Sequence, residues 1–264
     1  MSIIEAIILG IVQGLTEFLP VSSSGHIEIG KVLLNIQTAD NLLFSIIVHG
    51  ATALSTVIVF RKTIFELLKG LLAFEMNESW KFALLILVSM IPVGIIGLLF
   101  EKQLEALFSG NLLLVGSMLI VTASLLALSY FRKPSNGDVG LKQAIIIGLA
   151  QSVAILPGIS RSGATISTAL MLGVDKDKAT RFSFLMVLPP IIGATLLKVK
   201  DFIEEPAIAD GISGIALTAG FIAAFLAGLF ACSIMIKIVR SGKLIYFSIY
   251  CLLVGTVAII AYLL

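Results

Sequence analysis

Charge is what this chain lacks most. Only 13% of its 264 residues are Asp, Glu, Lys or Arg, about half of the roughly 25% that soluble domains carry. So little charge cannot cover a solvated surface, which excludes a soluble globular fold. Cysteine is almost absent as well. Cys232 and Cys251 both lie in apolar runs, so they read as small buried hydrophobes and imply no disulfide framework. The basic residues never gather into a patch with interleaved aromatics, and no nucleic-acid partner is expected. No basic stretch precedes the first apolar run, and Glu5 falls inside it, so a cleavable signal peptide is not expected either.

What fills the chain is apolar sequence, 58% of residues, with a mean hydropathy of +1.11. The expected fold is an all-α polytopic membrane protein, one integral membrane domain over 1–264. Six full-length spans are expected: Asn41–Phe60, Lys81–Phe100, Asn111–Phe131, Ala179–Leu197, Ile212–Ile236 and Leu244–Leu264. An interfacial helix is expected between Arg61 and Lys81. The remaining apolar arms pair up, Ile3–Val12 with Ile27–Leu34 and Leu141–Leu156 with Ala164–Val174. Each arm is short for a hydrocarbon core that takes roughly 20 residues to cross, and each pair brackets a polar turn. These read as two re-entrant helical hairpins. Irregular backbone at membrane depth needs cover from protein or a wet cavity, so both hairpins point to a site.

The halves repeat. A shift of 138 residues lays Ile7–Gln13 over Ile145–Gln151, Ser22, Ser24 and Gly25 over Ser160, Ser162 and Gly163, and Phe44-Ser45 over Phe182-Ser183. A hairpin followed by three spans is an odd number of crossings, so the repeats, approximately 1–131 and 141–264, should be inverted relative to each other. Inverted repeats place their site near the midplane, where they meet. Loops 61–81, 132–142, 175–181 and 237–243 hold 13 of the 18 Lys and Arg. Placing them in the cytoplasm satisfies the positive-inside rule and sends both termini outward.

Two polar islands interrupt the apolar background. Gln13–His26, QGLTEFLPVSSSGH, carries Glu17, the hydroxyls of Ser22, Ser23 and Ser24, and His26. Leu156–Thr165, LPGISRSGAT, sets Arg161 between Ser160 and Ser162, with Thr165 a turn later. A carboxylate at membrane depth is costly unless it is neutral, paired or bound to a cation. Gln13, one helical turn before Glu17, shares its face and can support it or a metal. A Ser/Gly turn opening a helix aims N–H groups at an anion, and an N-cap role accounts for only one of the three serines. His26 can carry protons near neutral pH. The Arg161 fork matches phosphate oxygens, and an Arg161–Glu17 pair would be the resting state of an empty site. His49, mid-span, reads equally well as a packing residue or a substrate contact. An acid, hydroxyls, a base and a clamp suit phosphoryl transfer from a diphosphate, and a divalent cation on Glu17 would bridge its oxygens. A site at this depth calls for a substrate with a lipid tail. The rival is a polyprenyl-phosphate transporter or flippase, an architecture that also uses inverted repeats with broken helices. A transporter has less need of a Glu, Ser and His set beside the clamp.

Together the two islands resemble the paired signature motifs of the undecaprenyl-diphosphate phosphatase, or bacitracin-resistance, family, and the likeness extends over the whole chain. The resemblance implies hydrolysis of undecaprenyl diphosphate to undecaprenyl phosphate and inorganic phosphate, with Mg2+ or Ca2+. It implies a multi-pass protein of the bacterial plasma (inner) membrane, a site opening to the outer face, a polyprenyl diphosphate lipid as substrate, and a homodimer. By the same resemblance Glu17 and Gln13 are metal or diphosphate ligands and His26 is the catalytic base or acid. Ser22 and Ser23 become candidate nucleophile and phosphate ligands, Ser24 joins the substrate-binding turn, and Ser160, Arg161, Ser162 and Thr165 hold the diphosphate. Some members carry Glu where this chain has Gln13, which leaves metal binding to lean on Glu17. Either Ser23 attacks phosphorus and forms a phosphoserine, or His26 activates water directly.

Overall fold

The computed structural model describes residues 1–34, 41–108, 110–133, 135–193, 195–196 and 213–264. Among them the fold is helical, with one isolated bridge between Gly137 and Val174. Helix α1 (Ile3–Phe18) starts at a capping box. The Ser2 hydroxyl accepts from the Glu5 N–H at 3.3 Å, and the Glu5 carboxylate accepts from the Ser2 N–H at 2.8 Å. It runs further than the expected Ile3–Val12 arm because nothing breaks it until Pro20, which pushes Leu19 into extended backbone. Gln13 and Glu17 therefore stand on the last turns of a regular helix. At 16 residues, about 24 Å of rise, α1 stays short of a hydrocarbon core of about 30 Å. A turn through Ser22 leads into α2 (Ser23–Leu34).

Helix α3 (Asn41–Val59) bends by 77° into α4 (Arg61–Leu71). α4 buries none of its residues, carrying Arg61, Lys62 and Lys69 beside exposed Phe65 and Leu68, as an interfacial helix should. There follow α5 (Glu78–Leu99), α6 (Glu101–Ala106) and α7 (Leu112–Tyr130). The second hairpin is α8 (Leu141–Val153) and α9 (Arg161–Met171). α10 (Lys176–Met186) stops at Val187 and the chain is helical again over 188–193. Pro189 and Pro190 have no N–H to give to the preceding turn, which opens the ladder there. The end of the expected Ala179–Leu197 span and the first residue of Ile212–Ile236 lie outside the described residues. α11 (Gly214–Arg240) and α12 (Ile245–Leu263) complete the chain.

Among the described residues α5, α7, α11 and α12 are long and apolar enough to cross a membrane, with a fifth crossing if the bent α3–α4 pair counts as one. Their outward faces are apolar, with Leu87, Ile91, Leu226, Phe230, Leu253 and Val257 all exposed. That pattern is a lipid-facing surface, since soluble monomers rarely leave such contiguous patches bare.

The hairpins are embedded by close backbone crossings. α1 lies along α11, and a Cβ added at Gly14 would stand 2.5 Å from the Ala224 carbonyl oxygen. α8 lies along α5 in the corresponding way, with Gly148 against the Ser89 backbone. α7 and α12 cross glycine on glycine. A Cβ at Gly116 would meet the Gly255 oxygen at 2.6 Å, and one at Gly255 would meet the Gly116 oxygen at 2.7 Å. Small residues at crossings let helices approach where lipid supplies no hydrophobic drive.

Candidate active site

Glu17 is the hub. Its side chain is 5% exposed and collects four neighbours from four helices. Gln13 Nε2 donates to Oε2 at 2.9 Å from the turn before. Ser23 Oγ, at the first position of α2, donates to the same oxygen at 2.6 Å. Arg161 Nη2, at the first position of α9, pairs with Oε1. His49 Nε2 of α3 stands 3.8 Å from Oε2. The ring's other nitrogen, Nδ1, gives its proton to the Ser45 carbonyl at 2.7 Å, which leaves Nε2 open toward the carboxylate.

The two hairpin tips are built alike and touch. In the first, the Gly25 N–H donates to Ser22 Oγ at 3.2 Å and Ser22 Oγ lies 3.3 Å from Ser24 Oγ. In the second, the Gly163 N–H donates to Ser160 Oγ at 3.1 Å and Ser160 Oγ lies 3.3 Å from Ser162 Oγ. Ser162 Oγ also donates across to the Leu19 carbonyl at 3.3 Å. A Cβ at Gly25 would sit 3.1 Å from the Gly158 Cα. The tips differ in backbone. Ser22 has φ +70°, a left-handed conformation uncommon outside glycine, whereas in the second tip Gly158 takes the positive φ, +99°. Holding a serine there is the kind of local strain that functional turns store.

A cavity of about 610 Å³ opens in front of these groups. Glu17, Ser23, Ser24, His49, Ser160 and Arg161 make its polar wall, and Val93, Leu104, Phe108, Ile155 and Val187 its apolar one. This two-sided lining suits an amphiphile with an anionic head. Further along α2, Glu28 and Lys31 also face the cavity, paired at 2.7 Å. Glu28 also accepts from the Gly110 N–H at 2.8 Å, which ties α2 to the α6–α7 connection.

The expected site residues therefore separate into groups. Glu17, Ser23, Ser24, Ser160 and Arg161 line the cavity, with Gln13 fully buried behind Glu17. Ser162 lines a small neighbouring pocket shared with Glu17 and Arg161. Ser22 and Thr165 are buried in the framework, and Thr165 Oγ1 is spent on the Arg161 carbonyl and the Ser183 hydroxyl. His26 is not on the cavity wall. Its Nδ1 donates to the Ser22 carbonyl at 2.8 Å, its Nε2 lies 2.8 Å from the Tyr250 hydroxyl, and the two rings stack 5.6 Å apart. The imidazole beside the carboxylate is instead that of His49, whose role the sequence left open. Glu28, Lys31 and Tyr250 carried no motif that would single them out. An i,i+3 pair and a tyrosine in an apolar span are ordinary sequence.

Among the described residues no three or more of His, Cys, Asp and Glu gather as a metal cage. The donors present fit a hard cation shared with substrate. Glu17 supplies one carboxylate, and the buried Gln13 Oε1 has no partner of its own. Mg2+ commonly takes one or two carboxylates and draws the rest of its shell from phosphate oxygens and water.

Fold and site together define a multi-pass helical membrane protein whose polar centre is built where two hairpin tips meet. The chain belongs to the family described as bacitracin resistance protein BacA, whose model matches residues 6–257. It is 55% identical to a protein of Christiangramia forsetii over 262 residues, 98% of each chain. It is 52% identical to one of Bacteroides fragilis over 257 residues, 97% of each, and 50% identical to one of Bacteroides thetaiotaomicron over the full length of both. All three carry the name undecaprenyl-diphosphatase.

Proposed function

We propose that this protein hydrolyses undecaprenyl diphosphate to undecaprenyl phosphate and inorganic phosphate, returning the lipid carrier to cell-wall synthesis and so opposing bacitracin. The observation that carries the mechanism is the convergence of Ser23 Oγ and Arg161 on one carboxylate, Glu17, at the wall of an amphiphilic cavity. The head group takes the Arg161 fork away from Glu17, since phosphate oxygens accept it bidentately. Ser23 Oγ then attacks the terminal phosphorus and its proton passes to Glu17, 2.6 Å away. The bond from that phosphorus to the bridging oxygen breaks, and undecaprenyl phosphate leaves with the electron pair. Undecaprenyl phosphate takes that proton from Glu17 as it departs. Water then attacks the phosphoserine and gives its proton to Glu17, the bond between Ser23 Oγ and phosphorus breaks, and inorganic phosphate leaves. Glu17 returns the proton to Ser23 Oγ. Ser24 and Ser160 offer hydroxyls to the phosphate oxygens, and Ser162 braces the tip by donating to the Leu19 carbonyl. Glu17 and Gln13 Oε1 would hold a Mg2+ or Ca2+ ion, which neutralises charge on the diphosphate.

His26 acts in this scheme by fixing the Ser22 carbonyl, and with it the start of α2 where Ser23 stands. Direct activation of water by His26 has less support, because both ring nitrogens are already engaged. The inverted repeat is supported by the matching serine and glycine bonds of the two tips, by the exchanged packing of α1 on α11 and α8 on α5, and by the reciprocal glycine crossing of α7 and α12. In that frame the protein makes six crossings with two re-entrant hairpins in the plasma membrane, and the site opens outward.

The test is phosphate release by the purified protein in detergent from a polyprenyl diphosphate, with and without EDTA, beside Ser23→Ala. Metal-dependent release that falls at least about a thousandfold in the variant supports the scheme. Near-normal turnover of Ser23→Ala removes the phosphoserine route. No release from folded wild-type protein favours the transporter, to be examined by lipid flipping in vesicles.

A further inference from the structure

Gln151 stands on the last turn of α8 and lines the same cavity as Glu17, Ser23 and Arg161. It is 3% exposed, and neither its Nε2 nor its Oε1 has a protein partner. Leaving both ends of a buried amide unpaired is costly, and native structures seldom do it without a purpose. The repeat explains how the amide came to be free. The 138-residue shift lays Gln151 on Gln13. Gln13 gives its Nε2 to Glu17, four residues on, while the residue four on from Gln151 is Ile155, which offers nothing to bond. One glutamine of the pair therefore supports the carboxylate, and the other keeps an unpaired amide at the cavity wall.

We infer that Gln151 is a substrate contact, its amide binding the phosphate portion of the lipid diphosphate in this cavity. This rests on the phosphatase reading above. An amide has two N–H donors and an accepting oxygen, so it can give to a phosphate oxyanion and accept from a protonated one. Being neutral, it adds a contact to the Arg161 clamp without adding charge that would hold the anionic products.

The experiment uses the full chain in detergent. It measures phosphate release from a polyprenyl diphosphate, affinity for the methylene-bridged analogue that cannot be cleaved, and Tm. The variants are Gln151→Leu and Gln151→Glu, with Gln151→Met as the flexible alternative should the leucine protein not fold. In Gln151→Leu, KM and the analogue's Kd should rise roughly tenfold while Tm holds or increases, because an unpaired amide has been removed. Gln151→Glu should bind the analogue more weakly still. KM and Kd within twofold of wild type in a folded Gln151→Leu protein would overturn the inference and leave the phosphatase standing. Wild-type protein that neither turns over the substrate nor binds the analogue would overturn the phosphatase reading, and this inference with it.

Discussion

Arg161 is held by Glu17 before any substrate arrives, so its substitution tests two things at once. Lysine keeps the charge but not the fork. Arg161→Lys should fold and keep its charge beside Glu17, yet lose about a hundredfold or more in turnover. Phosphate-release kinetics beside a melting curve would check it, and retained turnover would argue against bidentate clamping. His26 and Tyr250 call for a finer comparison. Tyr250→Phe removes only the partner of Nε2, and should cost less than about tenfold in kcat, the scale of one neutral hydrogen bond. His26→Ala also frees the Ser22 carbonyl, whose residue sits at φ +70°, and should cost substantially more. Equal losses in the two variants would mean that His26 acts through its bond to Tyr250 and not through its hold on the Ser22 carbonyl. At this scale the sequence singled out the residues that the structure brings together around Glu17, but not which way each one faces. Glu17, Ser23 and Arg161 were legible because ionisable and hydroxyl groups stand out in apolar sequence. The outward turn of His26 toward Tyr250 depends on how α12 packs, 224 positions away along the chain, and no local spacing encodes that.

At the scale of helices, glycine placement decides what can approach what. Gly14 lets α1 settle on the α11 backbone and so carries Glu17 to the hairpin tips. Gly14→Val should force the crossing apart and cost about 1–3 kcal/mol, as overpacking does, with activity falling alongside Tm. Gly94 of α5 has nothing within 4 Å of an added Cβ. Gly94→Ala should be neutral or should stabilise by up to about 1 kcal/mol. Comparable losses in the two would show that the close crossing is not what holds α1. The two-armed hairpins were readable from short apolar pieces around polar turns, and the breakers Pro20 and Pro157 set their tips. The length of α1 was not, because Gln13 and Glu17 look like interruptions to a hydropathy reading, although both are good helix formers. The stop at Val187 was missed for the opposite reason. Pro189 and Pro190 lie in a run apolar enough to read as one unbroken span.

The whole molecule is an inside-out solution to burial. Among the described residues its periphery is hydrocarbon-compatible, and the polar groups of the two hairpin tips converge on a cavity of about 610 Å³. That figure sets a limit on what the protein can enclose. Sites of roughly 300–1,000 Å³ hold a ligand of drug size, enough for a diphosphate and the first isoprene units and far too little for a long polyprenyl chain. Most of the tail must therefore stay outside, in the bilayer. An enzyme that encloses only the head reads only the head. Substrates of graded tail length, assayed in one detergent, should reach a plateau in kcat/KM once the first few isoprene units are present. A continued rise with every added unit would mean that the protein follows the tail along its outer surface. With a plateau, water-soluble short-chain diphosphates become adequate stand-ins for the natural lipid, and competitive inhibitors can be built on the head group without carrying its grease.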